Sequence, residues 1–231
     1  MTAFAEVLRL LSTAQKPSKG ASAYSLFINR PAGRVFAAMA YRIGATPNQV
    51  TFLSALFTFP ALAAVALVPP GPAMSVCVCV ALAVGFALDS ADGQLARSQQ
   101  SGSACGEWLD HVLDCVKFVS VHLSVLVALY RFFDLPSEAF LLVPMAFELA
   151  AVVVFFVGIL TQKLKRQREG QAAPAPALRS VLLLPVDYGM TCLSFLFLAD
   201  RGLFLAVYCA LLVAHLIFLP AFLVKCYREL S

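Results

Sequence analysis

Four aspartates within 26 residues are the part of this 231-residue sequence best suited to chemistry. Asp89 and Asp92 stand at i,i+3, and Asp110 and Asp114 at i,i+4, so on helices each pair shares one face. Apolar runs at 76–88 and 116–129 flank the pairs outward, and the short polar stretch 98–105 joins them. Two antiparallel neighbouring helices follow from this, with four carboxylates facing one another near a membrane surface. Four negative charges that close cannot all stay ionised unaided. A divalent cation with oxygen ligands resolves the conflict, and substrate phosphates would complete its shell.

The intervening residues carry a resemblance. The pattern D-x2-D-G-x2-A-R-x8-G-x3-D-x3-D is similar to the signature of the class I CDP-alcohol phosphotransferases (CDP-alcohol phosphatidyltransferases) at Asp89, Asp92, Gly93, Ala96, Arg97, Gly106, Asp110 and Asp114. The likeness extends to Asn29-Arg30-Pro31, to Thr46-Pro47-Asn48 and to the spacing of six apolar segments. It implies a reaction in which an acceptor hydroxyl attacks the β-phosphorus of a CDP-linked alcohol and CMP leaves. It implies that Asp89, Asp92, Asp110 and Asp114 hold one or two Mg2+ or Mn2+ ions, with Asp114 also the general base. Asp89, Asp92, Gly93, Ala96, Arg97 and Gly106 are the expected nucleotide contacts. The glycines permit close backbone approach, and the Arg97 fork suits phosphate oxygens. Asn48 and Thr51 are further nucleotide candidates from the start of the first spanning helix. A homodimer is expected from the same resemblance.

The elements that must position these residues are those of a membrane bundle. The sequence is 61% apolar and 13% charged, with a mean hydropathy of +0.84, against about 45–50% and about 25% in soluble domains. The predicted fold is an all-α integral membrane protein with six transmembrane helices preceded by an amphipathic interfacial helix. Residues 1–25 read as a mobile N-terminal tail, with a frayed helix at most, and no cleavable signal peptide is expected. Residues 26–231 form the membrane domain. In its interfacial helix, 26–44, Phe27, Val35, Phe36, Met39 and Ile43 separate from Arg30, Arg34 and Arg42. Spanning helices follow at about 47–68, 73–97, 106–133, 138–163, 180–199 and 203–224, a bundle over 47–224, each long enough for a hydrocarbon core of about 30 Å. The seven cysteines read as small buried hydrophobes rather than disulfide partners or metal ligands.

The acceptor is less determined. CDP-diacylglycerol is the expected donor, on chain length and helix number, with a small polyol such as inositol phosphate or glycerol phosphate as acceptor. A phosphorylated acceptor needs cations, for which Arg30, Arg34, Lys163, Lys165, Arg166, Arg168 and Arg179 are candidates. Asp187-Tyr188 is either an acceptor contact or a cap, and His122 and His215 read as buried structural groups. The alternatives are a CDP-choline or CDP-ethanolamine type of enzyme with a lipid acceptor, an Asp-rich prenyltransferase, and a non-catalytic ion-binding membrane protein. No nucleic-acid partner is expected.

Charge distribution orients the bundle. Fourteen of the 17 Lys and Arg fall on the face shared by both termini and the aspartates, Arg131 and Arg201 fall on the other, and Lys117 lies inside a span. Positive residues stay in the cytoplasm, so the termini and the site are expected on the cytosolic side of the cell (inner) membrane. Cysteine labelling near Gly71 and Gln171 should therefore show opposite sidedness, and equal sidedness would refute this topology.

Overall fold

Capping chemistry sets where the long helices begin. In the computed structural model, which describes residues 4–13, 21–166 and 177–231, α3 (Pro47–Leu67) opens with a capping box. The Thr46 hydroxyl accepts from the Gln49 N–H at 3.3 Å, and the Thr46 N–H donates to Gln49 Oε1 at 2.9 Å. Pro47 and Pro72 sit at the first position of α3 and of α4 (Pro72–Ser98), where a missing N–H costs nothing. Ser103 caps α5 (Ala104–Phe132) by accepting from the Gly106 N–H at 3.0 Å. Among the described residues every regular element is helical.

Among the described residues five helices are long and apolar enough to cross a membrane: α3, α4, α5, the stretch Glu138–Lys165 that takes in all but the last residue of α6 (Leu142–Arg166), and α9 (Arg201–Leu230). Ion pairs mark the two ends of the bundle. Lys165 meets Glu229 at 2.6 Å at the end holding the close of α6 and α9, and Arg201 meets Asp134 at 3.2 Å at the opposite end. Helices α6 and α9 thus run the same way, and the chain between them must return across the bundle.

That return departs from the continuous helix expected at 180–199. It is built from α7 (Ala177–Leu182), a 3-10 turn at Leu184–Val186, α8 (Tyr188–Ser194) and a second turn at Phe195–Phe197. Pro185 removes a backbone donor, and Asp187 is extended with its carboxylate capping the Gly189 N–H at 2.7 Å. The helix therefore restarts at Tyr188, in the apolar segment Tyr188–Phe197, which is too short to count among the five.

The N-terminal region also differs from a free tail. Helix α1 (Phe4–Thr13) buries Val7 and Leu11 against α2 (Arg30–Arg42), because Phe4, Val7, Leu8 and Leu11 recur at helical spacing. Residues 14–20 lie outside the described residues. Helix α2 presents Gly33, Ala37, Ala38 and Ala40 inward and leaves Phe27, Ile28, Val35, Met39 and Ile43 exposed around it. Of the cysteines, Cys79, Cys192 and Cys226 are buried, whereas Cys77 and Cys105 are exposed.

Close approach between helices holds α4 in place. At Gly33 a Cβ would lie 2.9 Å from the Ala87 carbonyl and from Ser90. At Gly85 it would collide with the Thr58 hydroxyl, and the Gly85 carbonyl accepts from Ser54 Oγ at 2.8 Å. Small residues allow such backbone contact between membrane helices. Gly85→Ala should cost about 1–3 kcal/mol through overpacking. A lowered thermal unfolding midpoint in detergent checks this, and an unchanged midpoint would refute the tight α3–α4 contact.

Candidate active site

The i,i+3 and i,i+4 spacings do what they imply. Carboxylate oxygens of Asp89, Asp92 and Asp110 lie within 4.8 Å of one another, bringing α4 and α5 together at one site. A second group, Asp110, His111 and Asp114, meets the same limit on α5. Sequence reasoning left out His111, although its position beside Asp110 and one turn from Asp114 was the available signal. Both groups offer hard oxygen donors, so the residues present fit a divalent cation.

Each aspartate has its own surroundings. Asp92 is buried and accepts from Thr51 Oγ1 at 2.6 Å, so Thr51 reaches into the site by orienting a carboxylate. Asp89 and Asp114 both accept from the Lys117 ammonium, with Asp114 at 3.2 Å. Lys117 is itself buried, at 5% exposure. One lysine, placed i,i+3 after Asp114, ties the two helices together.

Around the carboxylates the small residues leave room for larger neighbours. The Arg97 guanidinium folds back over Gly93, where a Cβ would lie 3.2 Å from it. At Gly106 a Cβ would lie 3.1 Å from Asn48 Oδ1, so α3 and α5 meet there. Ala96 is half-buried on the same helix. Arg30 comes near enough to Arg97 for their charges to interact, and its carbonyl accepts from Gln94 Nε2 at 3.2 Å. Burial lowers the pKa of Arg30 from its ordinary value.

The other predicted acceptor residues are dispersed. Arg34 has a buried Nε without a hydrogen-bond partner. Lys163 pairs with Glu107 at 2.7 Å, and Lys165 turns to Glu229. The side chains of Arg166 and Arg179 lie outside the described residues, as does Arg168. Asp187 caps α8 and accepts from Ser22 and from Ser25, the latter at 2.7 Å, which ties the segment before α2 to the broken crossing. Tyr24 stacks on Phe86 with centroids 6.2 Å apart, and burial, with Cys192 and Asp187 nearby, pushes its pKa up to about 12. This strap went unread in the sequence, which marks Tyr24 only as an aromatic before an amphipathic run. His122 Nδ1 meets the Tyr208 hydroxyl at 2.6 Å and His215 Nδ1 meets the Leu211 carbonyl at 2.9 Å, so each has a local partner.

A pocket of about 210 Å³ opens on the bundle-interior side of Asp89 and Asp114. Its remaining lining is Thr58, Phe86, Lys117, Phe118, Phe155 and Tyr188. The site thus has two sides: small residues with Arg97 and Arg30 toward the α4–α5 turn, and aromatic rings toward the interior.

The sequence profile of the CDP-alcohol phosphatidyltransferases matches residues 44–219, well over half of the sequence and all of the aspartate motif. The chain belongs to this family. The family transfers a phosphate-linked group from a CDP-alcohol to an alcohol, uses a divalent metal and resides in membranes. No curated protein matches the sequence.

Lys117 is a buried cation bonded to two of these carboxylates. Lys117→Met should destabilise the metal-free protein by about 3–5 kcal/mol, as removing one partner of a buried ion pair does. Added Mn2+ should then raise the unfolding midpoint more in the variant than in the parent. Equal midpoints without metal would show that Lys117 does not hold the site together.

Proposed function

We propose that the chain moves the substituted phosphate of a CDP-alcohol onto an acceptor hydroxyl, with Asp114 as general base and CMP as the leaving group. The observation that carries this is Asp114 itself: it stands with the clustered carboxylates and also opens into the interior pocket. Asp89, Asp92, Asp110 and Asp114 would hold Mg2+ or Mn2+. The bound ion would neutralise charge building on the donor diphosphate. Thr51 orients Asp92, and Lys117 fixes Asp89 and Asp114 relative to each other. Gly93, Ala96, Gly106 and Asn48 form the nucleotide wall, and Arg97 faces the phosphates. Asp114 takes the acceptor proton as its oxygen approaches the β-phosphorus.

The number of spanning helices supports CDP-diacylglycerol as donor with a small polyol acceptor, for which Arg30, beside Arg97, and Arg34 are candidates. Lys163, Arg166 and Arg179 remain candidates for that acceptor at the ends of the loop between α6 and α7. A second reading, in which CDP carries the polar alcohol and a lipid supplies the hydroxyl, is favoured by the aromatic lining beside Asp114. In either reading the protein is a homodimer of the cell membrane with its site and both termini cytosolic. Its sixth crossing is the broken segment 177–197, required by the parallel course of α6 and α9, and α2 lies at the interface with Phe27, Val35 and Met39 toward lipid.

Asp114→Asn keeps the shape and removes the base. CMP release across a panel of CDP-alcohols should fall about 10²–10⁴-fold, while metal-dependent CMP binding stays close to that of the parent. Asp89→Asn should weaken metal and CMP binding together. Near-normal turnover in Asp114→Asn, or a loss of CMP affinity as large as in Asp89→Asn, would remove Asp114 from the role of base.

A further inference from the structure

Lys117 and divalent ions draw on the same oxygens, so the lysine bears on how many ions the site takes. Ligand atoms of Asp89, Asp92 and Asp110 lie within 4.8 Å of one another, and so do those of Asp110, His111 and Asp114. Asp110 belongs to both groups, whereas Asp89 and Asp114 belong to different ones. What joins Asp89 to Asp114 is the Lys117 ammonium, which donates to Oδ1 of each.

That ammonium is fixed in place. Lys117 is buried, and it leaves α5 one turn deeper in the bundle than Asp114. Beyond it lies the pocket of Phe86, Phe118, Phe155 and Tyr188, which supplies no further carboxylate. Moving the ammonium there would strand a buried charge and strip two carboxylates of their partner. The lysine is therefore a resident cation between Asp89 and Asp114.

The two groups then differ in what they can hold. A carboxylate has two oxygens. Asp89 can bond Lys117 through one and an ion through the other, as Asp92 can with the Thr51 hydroxyl. An ion among Asp89, Asp92 and Asp110 thus meets three negative ligands. A second ion at the other group would share Asp110 with the first and share Asp114 with the ammonium. Its remaining ligand, the His111 imidazole, brings no negative charge. Two divalent ions together with the ammonium would outweigh the charge of the four carboxylates, and like charges at such spacing repel strongly.

We propose that this site takes a single divalent ion, held by Asp89, Asp92 and Asp110, and that the Lys117 ammonium occupies the place of a second cation beside Asp114. Lys117 is a positioning residue in this arrangement: it neutralises and orients Asp114 without entering the reaction. Asp114 then keeps an oxygen for the acceptor proton. The assignment deepens the reading above and rests on the aspartates holding a divalent ion, not on the identity of either substrate.

The test counts Mn2+ bound per full-length chain in phosphatidylcholine nanodiscs, with and without CMP, by electron paramagnetic resonance. The parent should bind one ion and give the six-line spectrum of an isolated Mn2+. Lys117→Met and Lys117→Gln, which remove the charge, should bind two, and a pair sharing Asp110 should give a spin-coupled spectrum. Lys117→Arg, which keeps the charge, should return the count to one. Unfolding midpoints measured with Mn2+ identify the folded variants, and a purely structural lysine would change the midpoint without changing the count. Two ions in the parent overturn the proposal whether or not any variant folds. A folded Lys117→Met or Lys117→Gln that still binds one ion overturns it as well. One ion in the parent without CMP binding overturns the transferase reading and leaves this assignment standing, whereas a parent that binds no Mn2+ overturns both.

Discussion

Gathering four carboxylates inside a helical bundle is the constraint on which the remaining structure depends. Two unit charges about 4 Å apart repel by about 4 kcal/mol at an effective dielectric constant of about 20. The groups here approach within 4.8 Å, and several such pairs coexist. Lys117 offsets part of this by bonding Asp89 and Asp114, and Thr51 donates to Asp92. The rest of the repulsion is borne by the framework that holds the helices together. Ser54 and Gly85 lock α3 to α4, and Gly33 lets α2 close against α4, so the helices bearing Asp89 and Asp92 cannot splay.

The broken segment 177–197 serves the same site. A continuous helix from 180 to 199 would bury its own backbone and need no neighbours. The restart at Asp187 instead frees a carboxylate that caps α8 and receives Ser22 and Ser25 from the N-terminal strap. Gly189 leaves space that the Tyr24 ring fills, and Tyr188 is turned toward Asp89 and Asp114. Edge contacts of Tyr188 with Phe86 and Phe118, at 5.1 and 5.2 Å, complete the aromatic side of the pocket. The strap of Ser22, Tyr24 and Ser25 packs on this break through Asp187 and Phe86.

Two environments therefore meet at Asp114. Toward the α4–α5 turn are small residues and guanidinium groups, suited to phosphates. Toward the bundle interior are rings, suited to an apolar body. Asp114 stands at that boundary, grouped with Asp110 on one side and lining the aromatic pocket on the other.

The sequence by itself determined the membrane class, the starts of α3 and α4 to within a residue, and the approach of Asp89 and Asp92 to Asp110. These follow from composition, from local signals such as Thr46-Pro47 and Pro72, and from spacing along one helix, whereas the start of α5 at Ala104, two residues before the expected Gly106, is set by the Ser103 cap. Only the tertiary structure decided that Lys117 bridges Asp89 to Asp114, that Asp187 anchors Ser22 and Ser25, and that Phe86, Phe118, Phe155 and Tyr188 enclose one pocket. Those contacts join residues on different elements, from 28 positions apart for Asp89 and Lys117 to 165 for Ser22 and Asp187. Hydrophobic periodicity reports which face of a helix is apolar, not which helix that face will meet. The break at 185–189 was written in Pro185 and Gly189 yet masked by the surrounding apolar run, because hydropathy measures partition into lipid and is blind to a missing backbone donor.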